Sequence, residues 1–270
     1  MSNPFRGSDT IASRGRSGSG RSAGGGGAGP GGPTGPVPAF SDLGYWYDAN
    51  QQDKFWQDSA GTIPILDNTE VNRADNAGFE PRPLDDPISV ERWHAAGGPN
   101  GGPRIGAGSP SIGTLTPHTG PAMGPIATSW FGVARHNTGL GSQGTIGIHK
   151  TGGSGGQILA QNIPITPQIR MDFCGSGFQT LQASLNTDWG WVWATMDAAG
   201  NFRMQASGNA EVNGSGTYNP PGINSPIRFG GINSDTLESG IWPNYELTND
   251  DIADLITYLD NKYGGPFPIP

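Results

Sequence analysis

The chain has 270 residues, among them 46 glycines and 24 prolines, with only 14% charged residues and a formal net charge of -8. So much Gly and Pro points away from helices, and the acidity works against contact with nucleic acid or anionic lipid. A single cysteine, Cys174, excludes an internal disulfide and fits folding in a reducing compartment.

In chain order, residues 1–39 come first, an arm with 12 glycines and 5 prolines. After Phe5 its only large apolar residues are Ile11 and Val37, too little surface to offset the entropy of ordering. Arg6, Arg14, Arg16 and Arg21 against Asp9 give the arm +3 and leave -11 for the rest, so it suits an acidic partner surface. Residues 12–27 are a Ser/Gly/Arg linker, and Gly-x-y triplets follow up to Val37, read as an extended spacer. The opening MSNPFRGSD lacks the apolar core of a signal peptide, and no run of about 18 apolar residues occurs, so synthesis in the cytoplasm and no membrane contact are expected.

From residue 40 to 270 the texture changes to apolar and aromatic residues separated by turn signals, and we expect a single sandwich domain. Strands are expected over 44–48, 126–134, 144–149, 157–162, 169–174, 189–196, 202–206, 227–231 and 240–245. Trp189, Trp191 and Trp193 alternate on one face, and the Gly-containing loop 197–201 closes a hairpin between two of these strands. Residues 94–125 hold 9 glycines and 6 prolines in 32 positions and read as a long structureless loop, a second contact surface. Near the end Thr248 reads as an N-cap, with Asp250 and Asp251 in the first turn and Ile252, Leu255, Ile256 and Leu259 as an apolar stripe; Gly264 and Pro266 stop the helix.

Several of these residues resemble a known family. Tyr45-Trp46-Tyr47-Asp48-Ala49, then Phe55-Trp56-Gln57-Asp58-Ser59-Ala60-Gly61-Thr62 and Pro64, are similar to the start of concanavalin-A-like, laminin-G-type jelly-roll domains of phage (virion) and bacterial surface proteins. Asp197-Ala198-Ala199-Gly200, Val212-Asn213-Gly214, Ile227-Arg228-Phe229-Gly230-Gly231 and Glu246-Leu247-Thr248, leading into Asp251-Ile252-Ala253-Asp254, Tyr258-Leu259 and Lys262-Tyr263-Gly264, resemble its last strands and terminal helix. The resemblance spans about residues 43–264 and implies an all-β, concanavalin-A-like jelly-roll β-sandwich with one C-terminal helix, here preceded by the Gly/Pro/Arg-rich arm. The stretch 94–125 departs from the pattern. Lectins, adhesive modules, virion proteins and inert spacers share this architecture, so function rests on sites.

Catalytic motifs are absent. No Glu has Asp two residues later, so the E-x-D-x-E pair that β-jelly-roll glycosidases carry on one strand does not occur. Two G-x-S-x-G matches, at 20–24 and 152–156, lack the strand-to-helix setting that aims a nucleophile, and Cys174 has no adjacent base. The four histidines are isolated from one another, so no metal site and no cofactor is expected; Asp48, Asp53 and Asp58 could supply some oxygens to a calcium ion, without a specific motif, and are read instead as a solvated acidic surface. For sugar stacking the candidates are Trp242, followed by a Pro243-Asn244 turn that suggests a partly exposed rim indole, with Asn244, and Trp93.

These observations lead to an expected non-enzymatic virion structural protein of a bacteriophage or phage-like particle, a head decoration or a head fibre or spike component. It would be held by its arm on a capsid or other virion protein, present as a homo-oligomer or in many copies, and would bind a host-surface glycan weakly. The alternatives are a tail-associated receptor-binding adhesin and a free carbohydrate-binding lectin, with a polysaccharide-degrading enzyme ranked last.

Overall fold

The computed structural model describes residues 43–78, 83–85, 91–107, 118–119, 127–136, 144–145, 149–151, 157–163, 168–181, 188–220, 226–230 and 234–269. The arm, with Arg6, Arg14, Arg16 and Arg21, lies outside them, as do the G-x-S-x-G match at 152–156 and part of 94–125.

Among the described residues there are nineteen strands and one α-helix. In order they are β1 (Tyr45–Asp48), β2 (Phe55–Trp56), β3 (Thr69–Glu70), β4 (Arg73–Ala74), β5 (Leu84–Asp85), β6 (Glu91–His94), β7 (Arg104–Ala107), β8 (His118–Thr119), β9 (Ala127–His136) and β10 (Gly144–Thr145). Then come β11 (His149–Thr151), β12 (Gln157–Ile163), β13 (Gln168–Phe173), β14 (Phe178–Leu181), β15 (Gly190–Asp197), β16 (Asn201–Ala206), β17 (Val212–Ser215), β18 (Pro226–Arg228), β19 (Ser234–Trp242) and α1 (Asn249–Tyr263). A nine-stranded antiparallel sheet runs β17-β16-β15-β9-β19-β7-β6-β3, with β1 also paired to β19; a seven-stranded sheet runs β14-β13-β12-β11-β18-β8, with β10 paired to β12. Strands β2, β4 and β5 form a third, small sheet.

Period-2 alternation decides the layers. Trp130, Ala134, Val192, Ala194, Met196, Phe202 and Met204 of the large sheet pack with Ile158, Ala160, Ile169, Met171, Phe173 and Leu181 of the seven-stranded sheet in one buried core, making a β-sandwich. The opposite face of the large sheet supplies Phe131, Val133, Trp191, Trp193 and Trp242 to a second core with Ile252, Leu255, Leu259 and Tyr263 of α1. The alternating tryptophans are thus buried as their spacing suggests, but beneath the helix instead of between the sheets. At roughly 1.5–3 kcal/mol for each aliphatic side chain removed from water, this second core holds α1 in place.

The ends of α1 follow the sequence signals. Thr248 accepts from Asp251 N at 3.2 Å while Asp251 accepts from Thr248 N at 2.8 Å, a reciprocal capping box, and Gly264 closes the helix at φ 78°. A bulge between Thr236 and Glu238 keeps both Leu237 and Glu238 on the helix side of β19. Glu238 there accepts from Trp46 Nε1 (2.7 Å), Tyr258 Oη (3.0 Å), Tyr263 Oη (2.9 Å) and Lys262 Nζ (2.8 Å), and Lys262 also donates to Asp48 Oδ2 at 2.6 Å.

The expectation of a structureless stretch over 94–125 is corrected. It contains a 3-10 turn (Pro99–Gly101), β7 within the large sheet and β8 in the other. Glycine in β7 has a packing reason: a Cβ at Gly106 would collide with Arg104 Nη1 and Asp235 Oδ1, which pair at 2.7 Å across the strands. Asp235, 2% exposed, takes Arg135 on its other oxygen at 3.0 Å.

Candidate functional site

Residues 57–72, which include β3, are held by a set of hydrogen bonds. Asp58 accepts from Ile63 N (2.7 Å), Thr62 N (2.9 Å) and Thr62 Oγ1 (2.6 Å), and the Thr62 hydroxyl, followed by the Ile63 amide, holds its carboxyl below the usual range. Gln57 Nε2 donates to Pro64 O at 2.8 Å, which fixes the return of the loop. Thr69 Oγ1 donates to Leu66 O (2.7 Å) and accepts from Leu66 N (3.1 Å), a local clasp of the kind that makes Thr common in turns. Asn68 sits in the left-handed region at φ 57°, a conformation that Asn tolerates better than most residues, and its N–H reaches Trp93 O at 2.8 Å.

Where this loop meets β3 and β6 there is an open groove of about 290 Å³, lined by Gln57, Asn68, Thr69, Glu70, Asn72 and Arg92. Register places Glu70 opposite Arg92, and their side chains meet at 3.4 Å; Arg92 Nη1 donates to Asn68 O at 2.8 Å. Asn72 Nδ2 donates to Gln57 O at 2.6 Å, while its Oδ1 is buried without a hydrogen-bond partner. Three side-chain amides, a hydroxyl, a carboxylate and a guanidinium therefore converge, with both donors and acceptors to spare. Such a set suits a polyhydroxylated ligand. Ile63 and Leu66, 51% and 59% exposed, project from the same loop.

The residues chosen from sequence are not brought together here. Trp93 is 4% exposed, packs in the inter-sheet core and donates from Nε1 to Ala49 O at 2.9 Å. Alternation turns its strand neighbour Arg92 toward the groove, while Trp93 itself faces the core. Trp242 is 1% exposed with its ring centroid 5.5 Å from that of Phe131, which corrects the expected rim indole: the turn begins only after the strand has buried it against the opposite strand. Asn244 is exposed in that turn. Asp48 is committed to Lys262 and Asp58 to its own loop, while Asp53 lies on a 3-10 turn (Gln52–Lys54). Among the described residues no group of three or more His, Cys, Asp and Glu is placed to hold a metal ion. Cys174 lies in a turn after β13 at φ 49°, fully buried, and burial pushes its thiol well above the usual range. The groove was missed because its residues form no motif: Gln57 and Arg92 join the Asn68–Asn72 run only through the fold, and that run of Asn and Thr was the local signal.

No family model and no curated protein matches the chain. Solved structures to which it is similar include a Trypanosoma rangeli sialidase in complex with a difluoro-nononic acid, at 13% identity and TM-score 0.47, covering 89% of this chain and 37% of that one. The binding domain of botulinum neurotoxin serotype C1 is similar at 16% identity and TM-score 0.38, covering 60% and 41%. That of botulinum neurotoxin DC in complex with SialylT is similar at 15% identity and TM-score 0.40, covering 72% and 46%. The chain thus spans less than half the length of each of these structures. The expectation of a protein that is not an enzyme is corrected by this finding, since sialidases are enzymes.

Proposed function

We propose that the β-sandwich is a carbohydrate-recognition module whose sugar seat is the groove between the 57–72 loop and β6. The observation that carries this reading is the convergence of Gln57, Asn68, Thr69, Glu70, Asn72 and Arg92 on one open, polar groove of about 290 Å³. Amides and charged groups fixed by their own hydrogen bonds meet ligand hydroxyls at low entropic cost, and exposed Ile63 and Leu66 offer apolar surface to the less polar side of a sugar. The sequence alternative of a free carbohydrate-binding lectin fits this arrangement directly.

A glycan array probed with the whole chain tests it. Binding to at least one glycan class is expected, weakened about tenfold or more in Asn72→Ala/Arg92→Ala, as loss of two hydrogen-bonding side chains implies. Equal binding by wild type and variant would remove the groove from the reading. Released sugar in the same incubations would extend it to hydrolysis.

A second reading is supported by composition alone: a virion component attached through the +3 arm to an acidic particle surface, present in many copies. Deleting residues 2–39 should then leave a folded body that no longer copurifies with particles, whereas normal incorporation would defeat this second reading.

A further inference from the structure

The face of the seven-stranded sheet turned away from the inter-sheet core carries a second constellation, remote in sequence from the groove. Ile169, Met171 and Phe173 of β13 point into the core with Leu181 of β14, so alternation turns Arg170 and Asp172 of β13, and Phe178 and Thr180 of β14, to the other face. The register sets Asp172 directly opposite Phe178, and Arg170 opposite Thr180 and Gln161. Phe178 is 49% exposed, the one aromatic among the exposed large hydrophobic side chains of the described residues. The Arg170 guanidinium lies 4.5 Å from its ring centroid and thereby keeps the ring oriented.

Asp172 is the anomaly. It is 7% exposed, and its Oδ1 is buried with no hydrogen-bond partner; Arg170, two residues away on the same face, is engaged with the phenyl ring instead. Burial without a compensating donor pushes the Asp172 carboxyl up. A carboxylate in this condition is costly, and a donor reaching its other oxygen would help to relieve it.

We infer that Phe178, Asp172 and Arg170 form a second saccharide subsite, on the sheet opposite the one that carries the groove. The ring takes the C–H face of a pyranose, Asp172 accepts from one of its hydroxyls, and Arg170 donates to a neighbouring oxygen. An ammonium ligand fits less well, because Arg170 already places a positive charge on the same ring. The two subsites do not share a residue, and each stands or falls separately.

Amide chemical shifts of the uniformly 15N-labelled full chain, titrated with methyl β-D-galactopyranoside, methyl α-D-glucopyranoside and N-acetyl-D-glucosamine, test this. Saturable shifts are expected at Gln161, Asp172, Phe178 and Thr180 with at least one of the three sugars. Phe178→Ala, a change at an exposed position that leaves the core intact, should weaken binding at those amides about tenfold, and Arg170→Ala should weaken it too. Shifts at Asn68, Thr69 and Asn72 report the groove in the same spectra, so loss of one subsite is distinguishable from loss of the other. Absence of saturable shifts at the sheet face with all three sugars, or shifts there that persist unchanged in Phe178→Ala, would overturn the inference.

Discussion

Lys262 Nζ lies within 2.6 Å of Asp48 and 2.8 Å of Glu238, and Glu238 is wholly buried, so this lysine neutralises charge that water cannot reach. Removing one partner of such a group leaves an uncompensated buried carboxylate, and Lys262→Met should cost about 3–5 kcal/mol in urea unfolding. Burial, then the Glu238 charge, pushes both Tyr258 and Tyr263 above their ordinary value of 10.0. An acid raised on folding keeps its proton in the folded chain after the unfolded chain has released it, so stability falls as pH rises beyond 10.0. Each tyrosine contributes a slope of up to about 1.4 kcal/mol per pH unit there. Tyr258→Phe should remove one such slope, read from urea midpoints on the alkaline side, and an unchanged slope would contradict the assignment. None of this cluster is legible in sequence: Trp46, Glu238 and Lys262 meet only because β1 pairs with β19 and the bulge in β19 turns Glu238 toward the helix.

The β15–β16 connection shows how much local chemistry can specify. Asp197 accepts from Asn201 N at 2.8 Å, and Gly200, at φ 88°, donates to Asp197 O at 3.0 Å. A Cβ at Gly200 would run into the Gly216 carbonyl. Gly200→Ala should therefore destabilise by about 2–4 kcal/mol, part from the left-handed conformation and part from the collision, seen as a lowered urea midpoint without change of slope. This hairpin and α1 were readable because turn glycines, cap residues and periodicity are local. Strands β2 to β7 were not: they have two to four residues, and their partners are distant in sequence, as when Thr69–Glu70 meets Arg92–Trp93. The groove inherits that illegibility, since its walls are made by such pairings.

The two regions proposed to take ligand lie on different sheets, one beside β3 and β6 and the other across β13 and β14. That division suits a protein that acts by accumulating weak contacts, because two subsites on one body raise the local concentration of a branched or repeated ligand. The order in which the large sheet is assembled follows from the position of β19, the last strand among the described residues. It pairs with β9 along one edge and with β1 and β7 along the other, and therefore sits at the middle of a sheet whose other members were all made earlier. During synthesis β1, β7 and β9 have no central neighbour until residue 242 has left the ribosome, and α1 has no complete surface to cover. Any nascent chain stalled before that point carries bare strand edges, the species most exposed to aggregation. Strand β19 thus acts as a timer: the large sheet cannot close before residue 242 has been made, and a chain stopped upstream of it leaves β1, β7 and β9 without their central partner.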